Sequence, residues 1–328
     1  MKWMLTVAKV INVIIIFSVA TGTLAAEYDK KNEKTTPAVE LKTPKRLLIH
    51  GNIVSSTLLN PGNVVPEHLT EFGFFHSGWT IDEIPEVANF ATFVDVYYHE
   101  IEILTAAREN GLKAWIQLAP IFFDGHPTYK KREDYLERWQ RARENLKQFE
   151  DIILSFDPMD EPFHRSNMRN NDLKIYLEEI AGLLKEDFPK ANIALTFTQD
   201  TVTNKNFIKF LPQKYNLLGV DHYVGENFQK RIVEKLITKT KHLNINYYLI
   251  PRAFKTSNQG YGGISEVQLI NRARQAYDFA RNNPRVIAIY PFVWETFIGK
   301  GDYYLGVDKL NTVQEEYRRI GAAISKFR

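Results

Sequence analysis

The chain has 328 residues, enough for one (β/α)8-sized domain of about 250 residues with additions. Its 42 Lys+Arg nearly balance 39 Asp+Glu, which argues against a polyanion such as nucleic acid as the main partner. The absence of Cys excludes disulfides, thiolate metal sites, a Cys nucleophile and a cysteine-linked lipid anchor.

In chain order, residues 1–25 read as a secretory signal peptide: Lys2 and Lys9, an apolar run from Val10 to Ala20, and the small-residue end Thr23-Leu-Ala25. That run, broken by Asn12 and ended by Thr21-Gly22, is short of the roughly 20 residues of a spanning helix. The expectation is therefore a secreted or periplasmic protein with no membrane contact after signal removal. Residues 26–45 are Lys-, Glu-, Thr- and Pro-rich with almost no large apolar side chain, and read as a flexible linker that cannot offset its ordering entropy. Residues 46–328 form the remaining domain. Its first part allows a short strand at Leu47–Ile49, after which Gly51, Asn60-Pro-Gly62 and Pro66 break the pattern.

From Phe72 a short apolar strand, a polar turn and an amphipathic helix alternate to the end, the pattern of a parallel sheet with helical crossovers. Strands are predicted at Phe72–His76, Phe90–Tyr98, Leu112–Ala119, Ile152–Phe156, Asn192–Thr198, Leu217–Tyr223, Asn246–Ile250 and Val286–Trp294. Helices are predicted at His99–Asn110, Tyr129–Phe149, Asp172–Asp187, Lys205–Leu211, Asn227–Lys241, Ser265–Asn282 (Ser265 as N-cap) and Val313–Phe327. The first crossover is short, because Ile81 to Ala88 holds Pro85 and can give only a turn or two. Eight strands predict an α/β fold of the closed (β/α)8 TIM-barrel kind, as a single domain.

The stretch Asp151-Ile-Ile-Leu-Ser-Phe-Asp-Pro-Met-Asp-Glu-Pro-Phe-His164 carries the chemistry. A buried strand ends in carboxylates at the mouth where such barrels keep their sites. Other strand ends add His76 and Trp79, Tyr98, Asp221, His222 and Tyr223, Arg252, then Trp294 and Glu295. Rings interspersed with hydroxyl, imidazole and carboxylate groups suit a sugar, whose C–H faces stack while its hydroxyls hydrogen-bond.

Asp160-Glu-Pro162 resembles the Asn-Glu-Pro signature of the cellulase-like TIM-barrel glycoside hydrolases, with Asp160 in the Asn slot. The resemblance implies Glu161 as acid/base, Tyr223 as a site tyrosine and Trp294 as the sugar-stacking ring of the eighth strand. It also implies a nucleophilic Glu ending the seventh strand, where this chain has Leu249-Ile-Pro-Arg-Ala-Phe254 and no acid. Glycoside hydrolysis needs two carboxyl groups. The candidates for the second rank Asp221 first, then Glu295, then Asp160, the last suited to binding a sugar hydroxyl. Asp157 points into the barrel interior and reads as structural.

The expected function is a glycoside hydrolase cleaving O-glycosidic bonds in a poly- or oligosaccharide. Binding residues are expected among Asp160, Tyr223, Trp294, His76, Trp79, Tyr98, His222 and Arg252. One alternative is a glycan-binding barrel without catalysis, motivated by Arg252; a third reading is a metal-dependent hydrolase, although close His ligand pairs are absent. Gly260-Tyr-Gly-Gly263 lacks the Lys of a phosphate loop, so a nucleotide cofactor is not expected, and without close His ligand pairs neither is a metal. The sequence leaves the oligomeric state open.

Overall fold

In the computed structural model, which describes residues 66–124, 129–164, 171–299 and 301–326, eight short apolar runs pair as parallel strands. They are β1 (Glu71–Phe72), β2 (Phe93–Tyr97), β3 (Lys113–Gln117), β4 (Ile153–Asp157), β5 (Asn192–Thr198), β6 (Leu217–Asp221), β7 (Asn246–Ile250) and β8 (Val286–Ile289). Their order around the sheet is β1-β8-β7-β6-β5-β4-β3-β2, chain order bent into a ring, so the predicted TIM-barrel architecture is present. The signal segment, the linker and the Leu47–Ile49 strand lie outside the described residues. Among those described, no helix is long and apolar enough to cross a membrane.

The ring closes differently at one place. Between β1 and β2 side chains join the backbone: Thr92 N–H donates to Phe72 O at 2.7 Å, and Phe72 N–H donates to Thr92 Oγ1 at 2.8 Å. Further up, His76 N–H donates to Asp95 Oδ2 at 2.9 Å. The cause is the length of β1, two residues flanked by Gly73, where an added Cβ would lie 2.5 Å from the Phe93 ring.

The crossovers are α1 (Ile101–Glu109), α2 (Tyr135–Leu146), α3 (Asn171–Asp187), α4 (Lys230–Thr240), α5 (Glu266–Arg281) and, after β8, α6 (Asn311–Ser325). Ser265 caps α5 with a reciprocal Gln268 bond, which satisfies amides that the first turn leaves open. The β1–β2 crossover has only the turns Ile81–Glu83 and Ile84–Val87. Two helices are much shorter than predicted. Lys130–Lys131 pairs antiparallel with Phe123–Asp124, so α2 starts only at Tyr135. The helix expected at Lys205–Leu211 is one turn, Phe207–Phe210, because Pro212 follows and disfavours a helical Leu211.

Pro291 also reshapes the last strand. Lacking an N–H, it ends the regular ladder, so β8 stops at Ile289 rather than Trp294, and beyond it only Phe292 bridges Phe75 and Arg252. From here a small antiparallel sheet of Lys255–Thr256, Asp302–Leu305 and Phe297–Gly299 rises beside the mouth.

Inside the barrel, Trp115, Tyr248 and Tyr290 form the floor, with Trp115 at 5.0 Å from Tyr248 and 4.7 Å from Tyr290 between ring centres. Burying each contributes about 3 kcal/mol. Gly219 makes room for them: a Cβ there would sit 2.4 Å from Tyr248 Cζ. The tyrosine hydroxyls need polar partners when buried, and they find them in the layer above.

Candidate active site

That layer consists of carboxyl groups. Alternation on β2 turns Phe93, Asp95 and Tyr97 inward; the Asp157–Gln117 register turns Asp157 inward; on β6, Leu217, Gly219 and Asp221 share the inner face. Asp160 and Glu161 follow β4 at the rim. Asp95 is held by Gln117 Nε2 at 2.8 Å and the His76 amide at 2.9 Å, with the Tyr290 hydroxyl in reach. Burial pushes its carboxyl up to about 7 against these bonds, and the Glu100 charge adds to the rise.

Asp157 is fully buried and likewise raised to about 7, by burial first and then by the Asp95 charge. The Met159 amide and the Trp115 indole face its carboxyl and oppose that rise. Asp160 is raised well above the usual carboxylate range by burial, then by Glu161 and Asp157, with the Thr196 hydroxyl easing it. Thr196 is itself 2.7 Å from Tyr248 OH, so the floor supports the rim.

Asp221 lies within hydrogen-bonding reach of the Glu161 carboxyl and the Tyr223 hydroxyl. Burial raises it to about 6, those contacts oppose the rise, and the Asp160 charge adds to it. The Glu161 side chain is 28% exposed, with His164 Nδ1 3.6 Å from Oε2. Glu161 has φ 43°; the other described non-glycine residues in this left-handed region are His76 (45°) and Tyr129 (37°). All three sit in mouth loops, and such backbone strain gathers at functional sites.

Rings wall the cluster. Tyr97 is pushed up to about 12 by burial and by the charges of Asp95, Glu100 and Asp160, and Tyr129 is raised by burial, Asp160, Glu161 and Asp157. On the opposite side Tyr223 stacks on Phe292 at 5.4 Å and 26° and meets Tyr261 at 6.2 Å. Tyr261 rises to about 12, through burial and then Tyr304, Asp221 and Glu161. His76 is driven down to about 4 by burial, so its imidazole is neutral at pH 7.

Several expected site residues lie elsewhere. Trp294, 8% exposed, packs outside the barrel wall between Phe74 (4.9 Å), Trp79 (5.7 Å) and Phe90 (5.8 Å), so Trp294 and Trp79 are core rings and Phe292 faces Tyr223 instead. Glu295 packs on Gly78, where a Cβ would lie 2.4 Å from its Oε2, and feels Asp308 and Glu83 rather than the mouth acids. Arg252, 1% exposed, donates to the carbonyls of Phe254, Tyr223, Tyr261 and Gly262, which makes it a brace for the loops that carry the rings. His222 feels Arg272 and Asp200 rather than the mouth acids, burial and then the Arg272 charge lowering it. Tyr98 meets His99 edge-on at 5.0 Å, and Tyr97 is the ring whose hydroxyl feels the acids.

Sequence reasoning gave no site role to Asp95, Tyr129, Tyr261, Phe292 or Thr196. Asp95 carried a usable signal: an acid inside a strand, in phase with Phe93 and two residues before Tyr97. Among the described residues, no group of three or more His, Asp or Glu has the arrangement of a metal site.

No family model matches the chain, and no curated protein matches it in sequence. Among solved structures it is similar to an FMN-binding beta-glucuronidase from Facaelibacterium prausnitzii L2-6, with TM-score 0.56 and 13% identity over 78% of this chain and 44% of that one. It is also similar to xylanase XynB from Paenibacillus barcinonensis (TM-score 0.54, 13% identity, 73% of this chain and 90% of that). A third is native xylanase 10B from Thermotoga maritima (TM-score 0.51, 13% identity, 78% and 97%). The chain spans less than half the length of the glucuronidase. The resemblance to cellulase-like TIM-barrel glycoside hydrolases therefore holds for the fold.

Proposed function

We propose that the chain is a glycoside hydrolase in which Glu161 is the general acid/base and Asp221 the second carboxyl. The observation that carries this reading is the Glu161–Asp221 pair, two acids from different strand ends within hydrogen-bonding reach of each other in a ring-walled mouth. Such a pair is nearer to the about 5–5.5 Å geometry of retaining enzymes than to the 6.5–9.5 Å that admits a water between the groups. In the first step protonated Glu161 gives its proton to the leaving oxygen while the Asp221 carboxylate attacks the anomeric carbon and the C–O bond breaks. In the second step Glu161 takes a proton from water, whose oxygen displaces Asp221 and frees the sugar. Tyr223 steadies the Asp221 carboxylate, and Tyr261 and Phe292 supply stacking faces.

Export of the protein belongs to the same proposal, since a polysaccharide substrate lies outside the cell. A second reading, a glycan-binding barrel without catalysis, is favoured by the seventh strand, which ends in the braced Arg252 instead of an acid. Release of reducing ends from a panel of poly- and oligosaccharides, with wild type, Glu161→Gln and Asp221→Asn, separates the two. Hydrolysis lost in both variants supports the pair, whereas binding with no hydrolysis in wild type moves the assignment to the binder.

A further inference from the structure

Beyond β6, which ends at Asp221, residues 222–229 belong to no helix or strand, yet they carry Tyr223, whose hydroxyl meets the Asp221 carboxyl. Two guanidiniums hold this segment. Arg272 of α5 donates through Nη1 to the carbonyls of Tyr223 (3.1 Å) and Gly225 (2.8 Å) and through Nη2 to that of His222 (2.8 Å). Arg252, just after β7, donates through Nη1 to the same Tyr223 carbonyl (3.1 Å) and to that of Tyr261 (2.7 Å). One carbonyl thus takes two charged donors, and Arg252 ties together two rings that feel Asp221, Tyr223 and Tyr261.

Arg252 and Arg272 are buried, at 1% and 0% exposure, and burial lowers each to about 10. Taking two cations out of water is costly, and apolar side chains would fill the space behind these loops at lower cost. What they could not do is fix carbonyls. A guanidinium is a planar fork that reaches several acceptors at once, whereas the single nitrogen of a lysine keeps the charge but cannot span carbonyls of separate residues.

We infer that Arg252 and Arg272 are joint positioning residues for the proposed reaction, clamping Tyr223 so that its hydroxyl stays on the Asp221 carboxyl. The inference takes its catalytic consequence from the glycosidase reading, while the clamp itself can be tested without a substrate. A hydrogen bond to the ionised form holds a carboxyl pKa down, so losing it raises the pKa. Glu161 and Asp160 from the β4 rim, Tyr248 from β7 and Tyr261 from its loop also face Asp221. Of these, Tyr261 is held by Arg252 as well, so Arg272 probes the Tyr223 contact alone.

The test follows the Asp221 carboxyl by carbon NMR in the full chain labelled at aspartate Cγ, with Asp221→Asn giving the assignment. Tyr223→Phe should raise the titration midpoint by about one pH unit, and Arg272→Lys or Arg252→Lys by roughly half as much. In a Tyr223→Phe background the lysine variants should add nothing. A role confined to stability would lower the melting temperature and leave the midpoint where it is. An unmoved midpoint in Tyr223→Phe or in a folded lysine variant, or an equal rise with and without the Tyr223 hydroxyl, would overturn the inference. Where one lysine variant does not fold, the other decides. On any glycan that the wild type hydrolyses, the acid limb of kcat/KM should move up with the midpoint. No hydrolysis of any glycan removes the glycosidase reading, and midpoints that move as expected still leave the clamp standing.

Discussion

Two aromatic-rich regions flank the barrel wall, and they differ in what their rings face. At the mouth, Tyr97, Tyr129, Tyr223 and Tyr261 face carboxyl groups, and burial first, then those charges, raise their hydroxyl pKa values. Beyond β1, Phe74, Trp79, Phe90, Trp294 and Tyr317 face one another, with Arg318 over the Phe90 ring at 4.9 Å. Both regions hold aromatics from the ends of barrel strands, Tyr97 and Tyr223 in one and Phe74 and Trp294 in the other. A ring at a strand end is therefore a site residue only when polar groups share its face; otherwise it is packing between wall and helix.

The largest effect that could break this comparison is at the acid pair. Glu161→Gln should lower kcat about 10³–10⁴-fold while glycan affinity stays within a few-fold, as judged by steady-state kinetics and calorimetry. A loss below tenfold would remove the mouth's claim to chemistry. Next, Trp294→Ala should destabilise the fold by about 3–5 kcal/mol in urea titrations and leave the affinity of the folded protein intact. Phe292→Ala should do the reverse, weakening glycan binding about tenfold at a smaller cost in stability. Exchange of these two outcomes would put the stacking ring back at Trp294.

A smaller effect sharpens the link between floor and rim. Gly219→Ala should cost roughly 1–3 kcal/mol by overpacking, because the new methyl meets Tyr248, and it should also lower kcat, since Tyr248 holds Thr196 and Thr196 supports Asp160. Stability loss with unchanged kcat would uncouple the two layers.

The smallest expected effect is on pH dependence. Asp95 and Asp157 titrate near 7 in the folded chain and near 4 unfolded, so between about pH 4 and 7 the native state holds more protons. Stability should fall as pH rises through that window and level off above it. Asp157→Asn should match wild type at pH 4.5 and exceed it at pH 8 by roughly 1–2 kcal/mol, the coupled acids sharing the rest. Urea midpoints at the two pH values check the sign.

How much of this is legible in the sequence follows from the physics of each element. All eight strands could be read because strands buried on both faces are continuous apolar runs, and Ser265 could be read because a cap is a local device. Trp294 misleads because the resemblance that makes it a stacking ring supposes a strand running on to it, whereas Pro291 ends the ladder and the strand stops at Ile289. Arg252 misleads because the type of a cation says nothing about its partners, here carbonyls from two loops. Tyr261 belongs to a glycine-rich loop without periodicity, so only the folded chain brings it to Asp221.

The side-chain seam between β1 and β2 sets where the barrel breathes. An amide in a continuous ladder is released only when its neighbours open too, whereas the Phe72 and His76 amides answer to single side chains, Thr92 and Asp95. Deuterium uptake should therefore begin there, ahead of the amides of β5 to β7, and Thr92→Val should hasten it at Phe72 while those strands stay unlabelled. Because Asp95 also belongs to the acid cluster, uptake at His76 should rise when the charge state of the mouth changes, so one stave of the barrel reports, in hours of exchange, on the protons held at the other end of a carboxyl chain.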